Sequence, residues 1–187
     1  MQRTRSIARL LAPLPLICAA LAFPSGSSAA SPCQNADITP TGANMAQVRT
    51  ATLCLINQER TTRGLAPVKS NAHLQKAARR YSRLMVTQSF FDHVSPSGST
   101  LVSRVRKGTK YLHGAKSWSL GENLAWGSGE FATPAYTVQA WMDSPGHRKN
   151  VLNRSFRHIG IGVVTGAPVP TNGLPAATYT TDFGRRS

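Results

Sequence analysis

Apolar positions change their period along the chain. From Met45 to Arg63 they recur at helical spacing, at Val48, Leu55 and Ile56, with Gly64 as a stop and Pro67 barring a return. Leu74, Ala77, Ala78, Tyr81, Leu84 and Met85 follow at intervals of three and four. They predict a second helix, with Ser70 as its N-cap and Lys76, Arg79, Arg80 and Arg83 on its wet face. Thr100 to Lys107 reads as a short helix ended by Gly108, and Pro134 suits the first turn of another running to Met142. The Ser144-Pro145-Gly146 break turns the chain into a last short helix from His147 to near Leu152. The period then drops to two. Ile159, Ile161 and Val163 alternate with Gly160 and Gly162, and Thr178 to Phe183 is a second β-rich run beyond the Pro/Gly-rich hairpin loop 166–175. Helices first and strands last predict an α+β fold, helices packed on a small antiparallel sheet. Two strands alone are marginal, so a third is expected within or just before the loop-like stretch Gly121 to Gly129.

The first thirty residues are of another kind. Arg3, Arg5 and Arg9 precede an apolar run from Leu10 to Phe23, and Ser28 and Ala30 sit at −3 and −1 of a cleavage point before Ser31. The run is short of the ~20 residues of a bilayer span and contains Pro13 and Pro15. Residues 1–30 are therefore expected to be a cleavable signal peptide and the mature chain to be secreted, without a transmembrane segment. Residues 31–46, with Pro32, Pro40 and Gly42, read as an irregular lead-in to one domain over 47–187. Loss of Cys18 with the signal leaves Cys33 and Cys54, an even pair in an oxidising setting. A disulfide is the expectation. The alternative, a reactive or metal-binding thiol, lacks CxxC spacing or a neighbouring histidine.

Charge narrows the partners. The chain carries 22 Lys and Arg against seven acids, a net +15, of which three charges lie in the leader. Any carboxylate chemistry must come from Asp37, Glu59, Asp92, Glu122, Glu130, Asp143 and Asp182. Basic clusters stand at Arg79-Arg80-Arg83, Arg104-Arg106-Lys107-Lys110 and Arg185-Arg186. No reading helix, RNA-binding strand or aromatic stacking pattern accompanies them, which disfavours nucleic acid. Lipid headgroups and anionic cell-wall polymers suit an exported basic protein better, and a merely solubilising surface is the bland alternative.

Three segments carry candidate chemistry: Phe91-Asp92-His93-Val94-Ser95-Pro96, Gly121-Glu122-Asn123-Leu124-Ala125, and Trp141-Met142-Asp143-Ser144-Pro145-Gly146-His147-Arg148. Two imidazoles and a carboxylate in Gly/Pro-rich surroundings are the groups that bind Zn²⁺ or handle a proton. They equally suit hydrogen bonds that lock loops over a sheet.

In this order the segments resemble the CAP superfamily (cysteine-rich secretory, antigen-5 and pathogenesis-related proteins), in its compact bacterial SCP-like form. Leu55-Ile56-Asn57 with Arg60, Ile159-Gly160-Ile161-Gly162-Val163 and Asp182-Phe183-Gly184 extend the resemblance from about Val48 to Gly184. It implies a three-layer α-β-α sandwich around a small central sheet. It also implies a cavity holding His93, Glu122 and His147. The family's second glutamate falls on Ser144, with Asp143 one position earlier, so the fourth cavity group departs from the pattern. On this reading His93 and His147 would hold a divalent metal such as zinc, with Glu122 orienting an imidazole or acting as the catalytic base.

The remaining conspicuous residues read more plainly. Ser95 and Ser144 lie in no Gly-x-Ser-x-Gly turn. His73, His113 and His158 have no companion motif, Glu59 with Arg60 suggests a surface ion pair, and Trp126 and Trp141 suggest core, with Trp126 able to border a cleft. Three functions follow: binding of a lipid or cell-envelope ligand beside the cavity, metal-assisted hydrolysis of a peptidase type, or a non-catalytic cell-surface interaction.

Overall fold

The computed structural model describes residues 33–187. The expected signal peptide lies outside them. The lead-in from Cys33 is a series of turns, and Cys33 is joined to Cys54 in the first helix by the expected disulfide. The cross-link closes 21 residues of sequence separation, a restraint on the unfolded chain of about 3 kcal/mol.

Five helices and four strands follow. They are α1 (Met45–Thr61), β1 (Lys69–Ser70), α2 (Ala72–Thr87), α3 (Leu101–Gly108), β2 (Trp118–Ser128), α4 (Pro134–Asp143), α5 (Pro145–Val151), β3 (His158–Thr165) and β4 (Ala176–Arg186). Local signals explain most boundaries. Thr100 and Thr133 accept from the backbone N–H of Ser103 and Tyr136 and so cap α3 and α4. The expected Ser70 cap is displaced by one residue. Ser70 is engaged in β1 beside Ile159, and the Asn71 side chain instead accepts from the N–H groups of His73 and Leu74. No helix among the described residues is long and apolar enough to cross a membrane.

The sheet order is β1-β3-β4-β2. It is antiparallel apart from β1, a two-residue strand parallel to β3 that the sequence pattern does not announce. The loop-like stretch around Trp126 is the long edge strand β2, paired with β4 along its whole length. Its alternation is masked by glycines that a side chain cannot replace. A Cβ on Gly121 would stand 2.8 Å from Asn150 and Phe156, and one on Gly127 would stand 2.1 Å from the Phe131 carbonyl.

Helices cover both faces. Val48 and Ile56 of α1, Trp141 and Met142 of α4 and Val151 of α5 share one core with Ile159, Ile161, Tyr179 and Phe183 of the sheet. On the opposite face α2 and α3 pack through Leu74, Ala77, Tyr81, Met85 and Val105, with Leu120 and Leu124 of β2 beneath. Here the alternating glycines of β3 find their reason. A Cβ on Gly160 would fall 2.0 Å from the backbone of Leu74 and one on Gly162 would fall 2.2 Å from that of Ala78, so α2 lies directly on the strand. Arg60 is wholly buried rather than paired with Glu59. It donates to the carbonyls of Ala66, Val151 and Asn153, binding α1 to the end of α5, while Glu59 pairs with Arg63 one helical turn on.

Candidate functional site

The α2–α3 face of β2 carries Glu122 between Leu120 and Leu124, with only 3% of its side chain exposed. A carboxylate so placed needs partners, and each oxygen has one. Oε1 is 2.8 Å from His93 Nδ1, and Oε2 accepts from Arg104 of α3. The histidine comes from the loop after α2, which holds itself in shape. Asp92 accepts from Val94 N–H, Ser95 Oγ accepts from Ser99 N–H, and Tyr81 donates to the Asp92 carbonyl at 2.6 Å.

Arg104 is the hub. Besides Glu122 it donates to the His93 and Ser99 carbonyls, and its guanidinium lies 3.3 Å from the centroid of the Tyr81 ring. One side chain thus joins α2, α3, the histidine loop and β2. Burial pushes the Tyr81 phenol up to about 12, so it stays a donor.

Directly opposite Glu122 in the β2–β4 register stands Asp182, 1% exposed. Neither of its carboxyl oxygens has a partner of ordinary hydrogen-bond geometry among the described residues. Burial, and then the Glu122 charge beside it, hold the Asp182 carboxyl well above the usual carboxylate range and favour its neutral form. The Glu122 hydrogen bond raises the pKa of His93, whose side chain is 56% exposed, against the opposing effect of its partial burial.

His147 approaches from the other helical layer, on α5. Its carbonyl accepts from Asn123 on the opposite face of β2, and Asn150 donates to both the Glu122 carbonyl and Asn123 Oδ1. With Trp141 donating to the Leu124 carbonyl, these side chains cap the outer edge of β2 where a fifth strand would pair. Burial, and then the charge of His93, lower the pKa of His147, so the two imidazoles are biased in opposite directions. Ser144 sits at the junction of α4 and α5, and Asp143 is exposed with its carboxylate accepting from Gln139. No described hydrogen bond or ion pair brings Asp143 or Ser144 to Glu122.

The donor set limits what metal chemistry the site can support. His93 has only Nε2 to offer while Glu122 holds Nδ1, and His147 adds one more imidazole. Among the described residues no group of three or more His, Cys, Asp or Glu gathers as a metal cage. That falls short of the three protein ligands of a catalytic zinc. Glu122, with one oxygen engaged by His93 and the other by Arg104, is better placed to position His93 than to deprotonate water.

Between α2 and α3 opens a groove of about 610 Å³. Ala77, Tyr81 and Leu84 give it an apolar wall, Ser97, Ser99 and Ser103 give hydroxyls, and Arg80, Arg104 and Lys107 give positive charge. Arg104 and Asp182 are the residues that the sequence did not mark as part of the site, although Asp182 lies in a segment that carries the resemblance. One was hidden in a surface-like basic cluster and the other inside a β run. The scarcity of acids was the available signal for Asp182.

Comparison with known proteins bears on family and fold. The profile of the CAP family, the cysteine-rich secretory proteins, matches residues 53–175, a span that holds His93, Arg104, Glu122 and His147 but not Asp182. The chain is 41% identical over 118 residues to the YkwD protein of Bacillus subtilis, covering 63% of this chain and 42% of that protein. It is 32% identical over 111 residues to the membrane protein YlbC of the same organism, covering 59% and 30%. It therefore spans less than half the length of both relatives. Among solved structures, an extracellular SCP-domain protein of Bacillus anthracis superposes with a TM-score of 0.58 at 29% identity, over 76% of this chain and 40% of that one. An outer surface protein of Borrelia burgdorferi shares the fold at a TM-score of 0.59 and 21% identity, over 75% and 94%.

Proposed function

The chain belongs to the CAP family of cysteine-rich secretory proteins, and on that premise we propose that it is a secreted binding domain for an anionic lipid of the cell envelope. The ligand lies in the α2–α3 groove beside the His93–Glu122 site. One observation carries this reading: Arg104 lines the groove and at the same time closes the buried network. An apolar wall for a chain and a basic, hydroxyl-rich rim for a headgroup stand on the same opening. The extracellular and outer-surface character of the two solved relatives supports export.

Calorimetric titration with a short-chain phosphatidylglycerol below its micelle concentration tests the proposal. Binding is expected for the anionic lipid and absent for the zwitterionic phosphatidylcholine of equal chain length. Arg80→Glu with Lys107→Glu is expected to weaken it about tenfold or more. Equal binding by wild type and variant removes the groove as the site. Metal-assisted hydrolysis ranks second, because Glu122 is already engaged and the ligand set is small.

A further inference from the structure

The flank of α2 turned away from α3 meets the open edge of the sheet. β1 pairs only with His158 and Ile159, so among the described residues no strand lies beyond β3 from Ile161 to Thr165. The alternation that aims the Ile159 carbonyl at the Asn71 N–H aims the N–H groups of Ile161, Val163 and Thr165 outward as well. Against this edge lies a recess of about 280 Å³, with Val163 and Thr165 as floor and Arg49 of α1 and Arg79 and Arg83 of α2 in its walls. A second recess of about 250 Å³, reaching Ser70 and Ile161, shares Arg49. The two flank Arg49 along the β3 edge and are here called the trough.

The charge in this trough is uncompensated. Among the described residues the arginine ion pairs are Arg63 with Glu59 and Arg104 with Glu122, and none involves Arg49, Arg79 or Arg83. Three guanidinium groups around one small recess repel each other, Arg79 and Arg83 being exposed and Arg49 half-buried. Arginine presents a planar fork that grips two phosphate oxygens in parallel, and an outward backbone N–H can complete the shell. No aromatic side chain lines either recess, so a stacking platform for nucleobases is missing.

We propose that this trough binds a linear, phosphate-bearing polymer of the cell envelope, successive phosphates lying along the open edge of β3 with the three-arginine recess as the principal seat. The site is separate from the α2–α3 groove, and either can fail alone.

The test uses poly(glycerol phosphate) and the full-length mature protein at physiological ionic strength. Two triple variants remove equal charge: Arg49→Gln/Arg79→Gln/Arg83→Gln at the trough, and Lys116→Gln/Lys149→Gln/Arg154→Gln elsewhere on the surface. The trough variant is expected to lose about tenfold or more in affinity and the other to change severalfold less. The polymer should also raise the Tm of the wild type and leave that of the trough variant unmoved. Without polymer the trough variant should melt no lower than wild type, which separates loss of binding from loss of fold. Equal losses in the two triples would reduce the effect to bulk charge and overturn the site. Equal or tighter binding of single-stranded DNA through the same three arginines, or loss of anionic-vesicle binding while polymer binding persists, would overturn the ligand class. Arg80→Glu/Lys107→Glu is expected to retain polymer binding, which keeps this outcome distinct from that of the groove.

Discussion

Glu122 and Asp182 face each other across neighbouring strands in a buried layer, and Arg104 is the cation that holds the pair together through Glu122. Two carboxyls so close do not both ionise readily, and the tighter burial of Asp182 decides which stays neutral. Ser144 stands where the resemblance implies a second cavity acid, and the structure has a second buried acid at this site, Asp182 on β4.

The pH dependence of Asp182 has a definite sign. A carboxyl whose pKa is raised on folding binds protons more tightly in the folded chain. Its contribution is fully present below the unfolded value of about 3.9 and is lost as pH rises through the folded value. Asp182→Asn lacks that loss. Its Tm relative to wild type is expected to climb as pH rises from about 4 upward. Thermal melts across that range check it, and a flat difference would mean that Asp182 is ionised as easily as in water.

Removing the charge of Glu122 should be costly. Glu122→Gln leaves Arg104, 9% exposed, without its carboxylate, at a cost of about 3 kcal/mol. It also removes the first cause of the raised His93 pKa, so the imidazole should titrate closer to about 6.5 in the variant. Chemical denaturation and an NMR titration of the His93 ring measure the two effects. An unmoved ring titration would show that Glu122 does not hold Nδ1.

Zinc affinity should be modest. Two imidazoles, with Glu122 behind one of them, are expected to bind Zn²⁺ weakly and less well as pH falls, because protons compete for His93. Calorimetry of wild type against His93→Ala/His147→Ala reads this directly. Tight one-site binding lost in the double variant would restore the hydrolase reading.

Packing offers a prediction independent of charge. Gly162→Ala puts a methyl where the Ala78 backbone already lies, and the helix must lift from β3. A loss of about 1–3 kcal/mol is expected, greater than for Ala at the open surface position Gly146. Equal effects would mean that α2 can shift without strain.

Much of this was legible in the chain. Period three-and-four at Leu74 to Met85 and period two at Ile159 to Val163 each name an element that forms, because burial on one face needs only local spacing. β2 was obscured because its residues serve three neighbours at once. Gly121 and Gly127 yield to close contacts, Glu122 faces the acid site, and Asn123 turns to α5. Arg60 and Arg104 misled for a related reason: a long basic side chain looks solvated in sequence until its partners are known, and those partners are distant backbone carbonyls and a carboxylate. His93 and His147 were found through motif, but their opposite titration bias depends on burial that no motif records.

The strand order has a consequence for how the molecule comes into being. β2 is made well before β4 yet pairs only with it, while α4, α5 and β3 are laid down in between. No contiguous fragment ending before β4 can assemble the Glu122–Asp182 pair, however well its helices form. The β3–β4 hairpin can close early, since its strands are near neighbours, and the return of β2 to its far side is the long-range step that loop-closure entropy delays. The chemistry of the site is therefore absent until the fold is complete.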